Sequence, residues 1–417
     1  MTTARPPEDP RLARARERLV TACVTGTNGK TTTTSMIEAI VAASGEVPAR
    51  ITTVGSWVAG EQVADDVSME GFLRTVERAV EAGVRTLAVE TTSKSLGSGF
   101  AWRWPARVAV FTNLTRDHLD YHRTPEQYLA AKAQQFLALP DDGTAVFNAA
   151  DPASTLIADV LRPAVRRVAY AARGAAPECA GLPIALAADG VAASRTGTIV
   201  RLADSALGRA LGGELRLQVI GEVHAENALA AALAANALGY GPLAIREGLE
   251  RFPGVTGRFE IVSREPLVAV DYAHTPDALA RTLALARRLA DEVGGRVWCV
   301  FGCGGDRDQG KRPEMGRIAD EGADEVVLTN DNPRREDPAA IAAAVESGVE
   351  RRRAGWTREL DRARAIAIAL TGAAPRDVVV VAGKGHEPTQ EIGGRRTPFS
   401  DASVVRQLLS ALPAPPR

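Results

Sequence analysis

The chain has 417 residues, enough for two or three domains of roughly 100–200 residues, each with a full-sized core. Its 50 basic and 51 acidic residues leave a net charge of −1, which argues against a nucleic-acid binder held by bulk charge. The four cysteines include no CxxC pair, so the sequence supports neither a zinc ribbon nor a disulfide framework, and the expected compartment is a reducing cytoplasm.

No segment of the sequence is typical of a secretory signal or a membrane anchor. Residues 1–20 alternate arginine with proline and acidic residues, without an apolar centre. The most apolar stretch, 228–245, is alanine-rich and is interrupted by Asn236 and Gly239. We therefore expect no membrane association.

Short apolar runs alternate with longer amphipathic stretches along the first half of the chain. The runs predict strands at Thr21–Thr25, Thr86–Glu90, Val108–Thr112 and Ala145–Asn148. The longer stretches predict helices at Thr31–Ala43, Met69–Ala82, Pro125–Leu137, 224–238 and 241–251. Between them, residues 171–219 favour small antiparallel hairpins, with strands at Thr198–Leu202 and Leu215–Ile220. This βαβ order indicates an α/β fold with a mostly parallel sheet.

A second βαβ series begins after the Pro- and Gly-containing segment Phe252–Gly257. Strands are predicted at Val268–Asp271, Val297–Phe301, Glu325–Thr329 and Val378–Ala382, with helices near 277–290, 311–320, 337–352 and 358–370. We therefore predict a domain over residues 1–256, with 1–18 disordered, and a Rossmann-like domain over residues 257–417.

A glycine-rich loop follows the first strand and opens the first long helix. It reads Gly26-Thr27-Asn28-Gly29-Lys30-Thr31-Thr32. Backbone N–H groups at such a helix start can cradle a triphosphate, with Lys30 at the β- and γ-phosphates and Thr31 on Mg²⁺. The spacing is shorter than in GxxxxGK[ST], which leaves a chance glycine turn as the alternative. The pattern favours a P-loop-type ATPase domain.

Glu90 and His118 follow two further strands of this domain. Because ligands bind at the carboxyl ends of parallel strands, both side chains are candidate ligands of a second Mg²⁺. Taken singly, Glu90 is equally compatible with a surface strand end and His118 with a loop or capping residue.

Several stretches, in this order, resemble the Mur ligases, which are ATP-dependent amide-forming enzymes, and among them the MurE type. The matching stretches are TGTNGKTTT (25–33), FTNLTRDHLDYH (111–122), YLAAKAQQF (128–136), NALAA (227–231), GRFE (257–260), VDYAHTPDAL (270–279), VFGCGGDRDQGKRPEMG (300–316), TNDNPRREDP (329–338) and AGKGHE (382–387). The resemblance implies a central ATP-binding domain and a C-terminal domain that binds the incoming amino acid.

The resemblance also implies roles for single residues at the nucleotide and metal sites. Lys30, His118 and Lys132 would be catalytic, and Thr31, Glu90 and His118 would hold Mg²⁺ with Lys132 as a carbamate. From helical phase alone, Lys132 is only a solvated lysine on a helix face. The positions matching contacts to adenine, phosphate and ribose are Asn227, Arg258 and Asp271. His274 is either an ATP contact or an ordinary loop histidine.

On the amine side, the resemblance places the amino-acid substrate on two loops that follow predicted strands. Arg334 and Glu387 would pair with a distal zwitterion and Arg307 with a carboxylate, since a guanidinium fork suits a carboxylate. The full set is Arg307, Asp331, Asn332, Arg334, Gly383 and Glu387. The alternative is two ordinary loops with surface ion pairs.

On the acyl side, the sequence departs from the MurE pattern. The family's uridine-binding domain would precede Gly26, where only 25 residues stand, and we expect it to be absent. The family motif EVSSHALxxxR is replaced by ETTSKSL with Lys94 and Phe100 at its His and Arg, and a TTP motif by residues 67–69. A pocket shaped by Lys94 and the aromatic residues Phe100, Trp102 and Trp104 is one interpretation, and a loop packed on the surface is the other.

We therefore expect an ATP- and Mg²⁺-dependent ligase that joins a carboxylate to an amino acid, on a substrate other than the UDP-linked muramoyl dipeptide. Its partners would be small molecules, without nucleic acid or membrane, and a monomer is compatible with the sequence. The alternatives are a folylpolyglutamate-synthase-like or ammonia-using ligase, and a non-catalytic nucleotide-binding partner.

Overall fold

The computed structural model describes residues 9–65, 68–115, 119–349 and 354–411. The chain divides into two compact units between Pro253 and Gly254. Among the described residues, no helix is long and apolar enough to cross a membrane. The cysteines Cys23, Cys179, Cys299 and Cys303 are all buried free thiols.

The strands of the first unit form one sheet. They are β1 (Val20–Thr25), β2 (Ala49–Thr52), β3 (Gly55–Val58), β4 (Glu61–Ala64), β5 (Thr86–Glu90), β6 (Val108–Phe111), β7 (Thr144–Asn148), β8 (Arg166–Ala171), β9 (Ile184–Ser194), β10 (Gly197–Leu202) and β11 (Glu214–Leu217). Across the described part of the sheet the order is β11-β10-β9-β8-β7-β6-β1-β5-β2-β3-β4. The centre, from β2 to β9, is parallel, and both edges are antiparallel meanders.

The helices of the first unit lie between and after these strands. They are α1 (Pro10–Arg18), α2 (Lys30–Ala43), α3 (Met69–Glu81), α4 (Ser93–Gly97), α5 (Phe100–Arg103), α6 (Leu119–His122), α7 (Pro125–Leu137), α8 (Ala153–Asp159), α9 (Ala206–Ala210), α10 (Glu222–Ala237) and α11 (Pro242–Glu250). Strands β1, β5, β6 and β7 are buried along nearly their whole length, because helices cover both faces of a parallel sheet.

The expectation of disorder over 1–18 is wrong for residues 10–18, which form α1. Asp9 caps the helix by accepting a hydrogen bond from the Arg11 N–H, and Leu12 and Ala15 are buried. The apolar spacing of those two residues lets a strongly basic helix pack against the unit. Residues 1–8 lie outside the described part of the chain.

The second unit is a smaller α/β unit. Its strands are β12 (Glu260–Arg264), β13 (Leu267–Asp271), β14 (Val297–Phe301), β15 (Glu325–Leu328), β16 (Gly355–Arg358), β17 (Val378–Ala382), β18 (Thr389–Ile392) and β19 (Arg395–Pro398), and its helices are α12 (Pro276–Asp291), α13 (Lys311–Gly322), α14 (Pro338–Glu346), α15 (Arg362–Gly372) and α16 (Asp401–Ala411). The order β12-β13-β17-β14-β15-β16 is parallel except for β12, and β18 and β19 form a separate hairpin.

The predicted α/β class with mostly parallel sheets is confirmed. The predicted bounds of two helices in the second unit are wrong, because both predicted helices are too long. The helix expected over 337–352 ends at Glu346, and the one expected from 358 begins at Arg362, because Gly355–Arg358 pairs with β15 as an edge strand. Since β14, β15 and β17 run parallel, the loops after them leave the sheet at the same edge.

Candidate active site

The glycine loop connects β1 to α2 and is shaped by two glycines. Gly29 has φ +83° and is the N-cap residue of α2, a conformation that favours glycine. A methyl group at Gly29 would overlap the Asn227 side chain, and one at Gly26 would overlap Thr112. The Lys30 Nζ donates a 2.7 Å hydrogen bond to the Thr27 carbonyl. The loop therefore presents backbone N–H groups and an ammonium at the start of a helix, as anion binding requires.

The end of β6 holds this loop in place. The Asn113 carbonyl and side-chain oxygen accept 2.8 Å hydrogen bonds from the N–H groups of Thr27 and Asn28, respectively. Thr112 Oγ1 donates a 2.6 Å hydrogen bond to the Asn28 carbonyl. Asn113 belongs to the stretch FTNLTRDHLDYH, but the sequence alone predicts no role for it.

Thr31, Thr53 and Glu90 lie together. Thr31 is in the first turn of α2, Thr53 directly follows β2, and Glu90 is the last residue of β5. Glu90 Oε2 accepts hydrogen bonds from Thr31 Oγ1 at 2.8 Å, from the Thr53 N–H at 3.0 Å and from Thr53 Oγ1 at 3.1 Å. Glu90 is buried. Hydroxyl and carboxylate oxygens are hard ligands, so Thr31 and Glu90 suit Mg²⁺. Nothing in the sequence pattern signalled Thr53.

The structure places Lys132 in the interior, against its expected solvation from helical phase. Its side chain is 1% exposed, its Nζ donates a 2.6 Å hydrogen bond to the Gly26 carbonyl, and it lies 4.3 Å from the centre of the Tyr128 ring. Tyr128 Oη in turn donates to Thr27 Oγ1 at 3.3 Å. The prediction of a solvated Lys132 from helical phase is wrong because this face of α7 packs against the glycine loop rather than facing water.

Two of the expected Mg²⁺ ligands, Thr31 and Glu90, lie together. In the described ranges, no group of three His, Cys, Asp or Glu side chains could hold a metal ion. His118, the third expected ligand, lies outside the described residues. Mg²⁺ commonly takes only one or two carboxylates and completes its shell with water and substrate phosphates, which the Thr31 and Glu90 donor pair fits.

Asn227 and Thr32 lie at the glycine loop within the first unit. Asn227 is 4% exposed, and its Oδ1 accepts a 3.3 Å hydrogen bond from Thr33 Oγ1. Thr32 is also buried. His224 lies three residues before Asn227 in α10 and is buried, with both ring nitrogens unpartnered among the described atoms. Burial lowers its pKa to about 4.

The acyl-side aromatic residues do not form one pocket. Phe100 and Trp104 are buried, and each packs edge-to-face on Phe72 with ring centres 5.2 Å apart. Trp102 is 50% exposed and donates to Gln134. The interpretation of a shared aromatic pocket is therefore wrong for Phe100 and Trp104, which are core residues.

The polar residues near these aromatic side chains also divide into exposed and buried ones. Lys94 is exposed, with its Nζ 5.1 Å from the centre of the Tyr121 ring. His122 Nε2 lies 2.8 Å from Ser93 Oγ in the interior, a contact that sequence reasoning missed. Ser68 caps α3 by accepting from the Gly71 N–H, and Val67 lies outside the described residues.

In the second unit, Asp271 ends β13 and organises the turn around it. Its Oδ2 accepts a 2.7 Å hydrogen bond from the Phe259 N–H, and its Oδ1 accepts from Thr282 Oγ1 and the Ala273 N–H at 3.1 Å. Burial raises the pKa of this carboxyl group, and the N–H of Phe259 opposes the shift. The Arg258 guanidinium lies 4.5 Å from the centre of the Tyr272 ring.

His274 also belongs to this turn. Its Nδ1 lies 2.8 Å from the Tyr272 carbonyl, and the two rings are 4.5 Å apart. Lys311 Nζ donates a 2.6 Å hydrogen bond to the His274 carbonyl. These contacts of His274 are with neighbouring protein groups. They are compatible both with an ATP contact and with an ordinary loop histidine.

Three loops of the second unit converge after β14, β15 and β17. Gly302 and Gly305 approach the loop after β15 so closely that methyl groups there would overlap the carbonyl oxygens of Thr329 and Pro333. Gly383, at φ +113°, lies beside the Asp331 carboxylate, where a methyl group would stand 3.3 Å from Oδ2. Glycines at these positions let the loops approach each other.

Arg334 is fixed in an unusual backbone conformation, at φ +53°. Its N–H donates to the Glu391 carbonyl at 3.0 Å, and its own carbonyl accepts from the Gly394 N–H at 3.2 Å. Its Nη1 donates a 2.7 Å hydrogen bond to the Gly305 carbonyl. Arg307 lies alongside, since a methyl group at Gly304 would stand 3.6 Å from Arg307 Cγ and 3.1 Å from Arg334 Nη1.

The acidic side of this loop cluster is formed by Asp331, Asn332 and Glu387. Asp331 is 7% exposed, its Oδ1 has no hydrogen-bond partner in the described chain, and burial raises its pKa. Asn332 Nδ2 donates a 2.6 Å hydrogen bond to Glu387 Oε2. The expected amino-acid residues therefore lie on the loops that converge after β14, β15 and β17, and they include two arginines and two carboxylates.

Comparison with known proteins assigns the chain to a family. The Mur ligase middle domain matches residues 24–235, and the Mur ligase glutamate ligase domain matches residues 257–385. The chain belongs to the Mur ligase family. It is therefore an ATP-dependent amide-forming ligase, similar to the MurE type.

The curated relatives include UDP-N-acetylmuramoyl-L-alanyl-D-glutamate--2,6-diaminopimelate ligases of Ralstonia nicotianae and Thermosynechococcus vestitus. The first is 42% identical over 93% of this chain and 75% of its own length, and the second is 40% identical over 93% and 76%. A solved structure of a ligase of the same name has a TM-score of 0.65 at 32% identity, covering 94% of this chain and 78% of that one. The E. coli FolC complex with DHPP and ADP shares the fold, with a TM-score of 0.68 at 20% identity. This match covers 99% of this chain and 94% of that one.

Proposed function

We propose that this Mur ligase uses ATP to activate a substrate carboxylate as an acyl phosphate and couples it to an amino acid whose far end carries a carboxylate or zwitterion. The convergence of Arg334, Asp331 and Glu387 carries the amino-acid half of the proposal. Asp331 Oδ1 is buried without a hydrogen-bond partner in the described chain, and a substrate ammonium would supply one. Arg334, with Arg307 beside it, offers the matching cations for a carboxylate.

In the first step, a carboxylate oxygen of the substrate attacks the γ-phosphorus of ATP, and the bond to the bridging oxygen breaks to release ADP. Lys30 and the N–H groups at the start of α2 offset the charge on the phosphates. Thr31, Glu90, His118 and a carbamate on Lys132 would hold Mg²⁺, which supplies further charge neutralisation when bound. We assign Asn227, Arg258 and Asp271 to adenine, phosphate and ribose.

In the second step, the amino group of the amino acid attacks the acyl carbon. The carbon–oxygen bond to phosphate breaks, an amide forms, and the amine nitrogen releases its proton. The residues that hold the amino acid, with Asn332 and Gly383 between the charged groups, orient the nucleophile. No covalent intermediate with the protein is required.

We further propose that the acyl substrate differs from the UDP-linked muramoyl dipeptide named for the relatives. The family arginine at the position of Phe100 has no counterpart there, because Phe100 packs in the core against Phe72. An exposed lysine, Lys94, stands at the position of the family histidine. The cations that face an acyl substrate are therefore arranged differently. The reaction takes place on small molecules in the cytoplasm, in line with the buried free cysteines.

The experiment is a matrix of phosphate-release assays. Acyl substrates including the UDP-linked dipeptide are crossed with diaminopimelate, lysine, glutamate, alanine and ammonia, for the wild type, Arg334→Ala and Glu387→Ala. We expect release only with amino acids that carry a distal carboxylate or zwitterion. An amino acid without that group should lose about 1–3 kcal/mol of transition-state stabilisation, because Arg334 would then be left unpaired.

Each alternative predicts another pattern in this matrix. An ammonia-using ligase would release phosphate with ammonia, and a folylpolyglutamate-synthase-like enzyme would accept only glutamate. A non-catalytic partner would release none with any pair. Diaminopimelate ligation to the UDP-linked dipeptide would overturn the acyl proposal, and unchanged selectivity in both variants would overturn the amino-acid proposal.

A further inference from the structure

Lysine is rare in this chain. Of the 50 basic residues, 45 are arginine and five are lysine, and the lysines are Lys30, Lys94, Lys132, Lys311 and Lys384. Arginine and lysine differ in shape, since arginine carries a planar fork of donors and lysine a compact ammonium. Most positive charges of this chain are therefore arginines. A lysine that is also fully buried is a good place to look for a position that needs the ammonium itself.

Lys384 is such a residue, and the functions proposed above leave it unused. Its side chain is fully buried in the loop after β17. Its Nζ donates to Asn332 Oδ1 at 3.0 Å, to Glu387 Oε2 at 3.0 Å and to the Thr389 carbonyl at 2.7 Å. Because an ammonium has three N–H donors, these three acceptors use all of them. A planar guanidinium would not place three donors on acceptors gathered around one point.

The ammonium determines which way the Asn332 amide faces. Asn332 Oδ1 accepts both from Lys384 and from the Glu391 N–H at 2.9 Å, so the oxygen must point to these donors. The amide nitrogen then faces Glu387 and donates to Oε2 at 2.6 Å. Lys384, Asn332 and Glu387 close a triangle that joins the loops after β15 and β17.

The same triangle orients the Glu387 carboxylate. Oε2 accepts from both Lys384 and Asn332, while Oε1 accepts no hydrogen bond within the described ranges. Asp331 Oδ1, also unpartnered there, lies 4.0 Å from the Lys384 Nζ. Two carboxylate oxygens are therefore left beside a fixed cation, and the loop after β15 that carries Asp331 also carries Arg334. This arrangement suits a substrate end that brings an ammonium and a carboxylate together.

We propose that Lys384 is a positioning residue of the amino-acid site, and that it sets the preference for a distal zwitterion over a lone distal amine. The inference rests on the proposed function, since it concerns the amino acid of that reaction. With Lys384 in place, its charge offsets one of the two negative charges of Asp331 and Glu387 beside it, so a zwitterion with a single ammonium fits. Without it, the two carboxylates lose the cation beside them, and the added negative charge favours a substrate end that is a lone ammonium.

The test compares Lys384→Met and Lys384→Arg with the wild type in amino-acid-dependent phosphate release. Diaminopimelate and lysine are the probes of a distal zwitterion and a distal amine. We expect the KM for diaminopimelate to rise at least about tenfold in both variants, in line with a lost charged hydrogen bond. The KM for ATP should stay within about twofold, because the ATP phosphates are held elsewhere. The preference for diaminopimelate over lysine should fall in Lys384→Met, which loses the charge, and should fall less in Lys384→Arg, which keeps it.

The matched control is Arg396→Met, which removes a positive charge from the exposed face of β19, where Arg396 pairs with Glu391 at 3.1 Å. It should leave both KM values unchanged. Circular dichroism and ADP binding verify folding, and Lys384→Gln, which is one atom shorter but keeps an N–H donor, replaces Lys384→Met if that variant does not fold. It should show the same KM changes.

Three outcomes separate the hypotheses. An unchanged KM for diaminopimelate and unchanged preference in a folded variant would overturn the positioning role. An equal rise in the KM values for ATP and for the amino acid, together with a lower melting temperature, would indicate a purely structural lysine and would also overturn it. A wild type without amino-acid-dependent phosphate release would instead contradict the proposed function, before any variant is compared.

Discussion

Thr31 and Glu90 are directly hydrogen-bonded, with Thr31 Oγ1 donating to Glu90 Oε2 over 2.8 Å. The contact joins the first turn of α2 to the end of β5, so the helix that follows the glycine loop is tied to the strand-end carboxylate. Thr53 reinforces the pair from the end of β2 through its N–H and hydroxyl group. A cation bound here would meet both oxygens already oriented.

Replacing Glu90 by glutamine removes the charge while keeping the size of the side chain. We expect the Mg²⁺ concentration for half-maximal phosphate release to rise at least about tenfold, because a carboxylate ligand is lost. A Mg²⁺ titration of the wild type and Glu90→Gln measures this. The control Glu61→Gln removes a carboxylate that is 77% exposed on β4, and it should leave the titration unchanged. The same Mg²⁺ dependence in both variants would rule out the ligand role.

Lys30→Ala removes the ammonium of the glycine loop. We expect phosphate release to fall roughly 100-fold or more, since charge on the transferring phosphoryl group loses its stabilisation. The fold should be retained, because the Lys30 Nζ makes its 2.7 Å hydrogen bond to the Thr27 carbonyl, a group of the same loop. Single-turnover kinetics and thermal melting measure the two effects. Turnover at the wild-type rate would remove the phosphate-loop assignment.

Lys132→Ala tests the carbamate. A bare ammonium beside Mg²⁺ is unfavourable, whereas a carbamate supplies an oxygen ligand, and the buried lysine already lies against the Gly26 carbonyl. We expect low activity that acetate or formate partly restores, and wild-type activity that falls when bicarbonate is removed. Labelled bicarbonate should give a carbamate NMR signal in the wild type and none in Lys132→Ala. Full activity without bicarbonate would contradict the modification.

His224 predicts a pH dependence of stability. Its pKa is about 4 in the folded chain against an ordinary 6.5, so the unfolded state binds the proton more tightly between these values. Its contribution is fully present above about pH 6.5 and is lost as the pH falls towards about 4, for a total of about 3 kcal/mol. Urea unfolding of the wild type and His224→Asn at several pH values measures this. Equal pH slopes in both would exclude His224 as the source.

The buried pair of Arg362 and Asp401 should contribute to the free energy of unfolding of the second unit, next to the loops after β15 and β17. Arg362 donates two 2.7 Å hydrogen bonds to Asp401, and it also donates to the carbonyl groups of Asn330 and Ala382. Arg362→Met should destabilise the second unit by about 3–5 kcal/mol, because it leaves a buried carboxylate unpaired. The double variant Arg362→Met/Asp401→Leu should recover most of this loss in urea unfolding. A double variant as unstable as the single one would show that the charge is not the cause.

The fold was largely predictable because its central strands are buried on both faces. Continuous apolar runs such as Val297–Phe301 and Val378–Ala382 have few other interpretations, and their bounds agree with the structure. The edge strand Gly355–Arg358 was not predictable, since its four residues GWTR contain one large apolar side chain and are mostly exposed. Such edge strands depend on a neighbour that the local sequence does not contain.

The candidate site was predictable where a backbone conformation demands a residue type and not where packing decides. Gly26 and Gly29 could be found from the sequence because a side chain at either position would meet another strand or helix. Burial of Lys132 could not, since the polar and apolar spacing of α7 is the same whether that face meets water or the glycine loop. The role of Lys384 depends on acceptors 52 residues earlier and 3 residues later in the chain.

The left-handed backbone of Arg334 also bears on how this scaffold can diverge. A non-glycine residue at φ +53° carries strain on the order of 1–3 kcal/mol, which glycine would relieve. Replacement of this arginine by glycine would therefore relieve backbone strain while removing the cation that we propose for the substrate carboxylate. A change of amino-acid preference can begin with a mutation that folding favours, and retention of the arginine requires selection on the product.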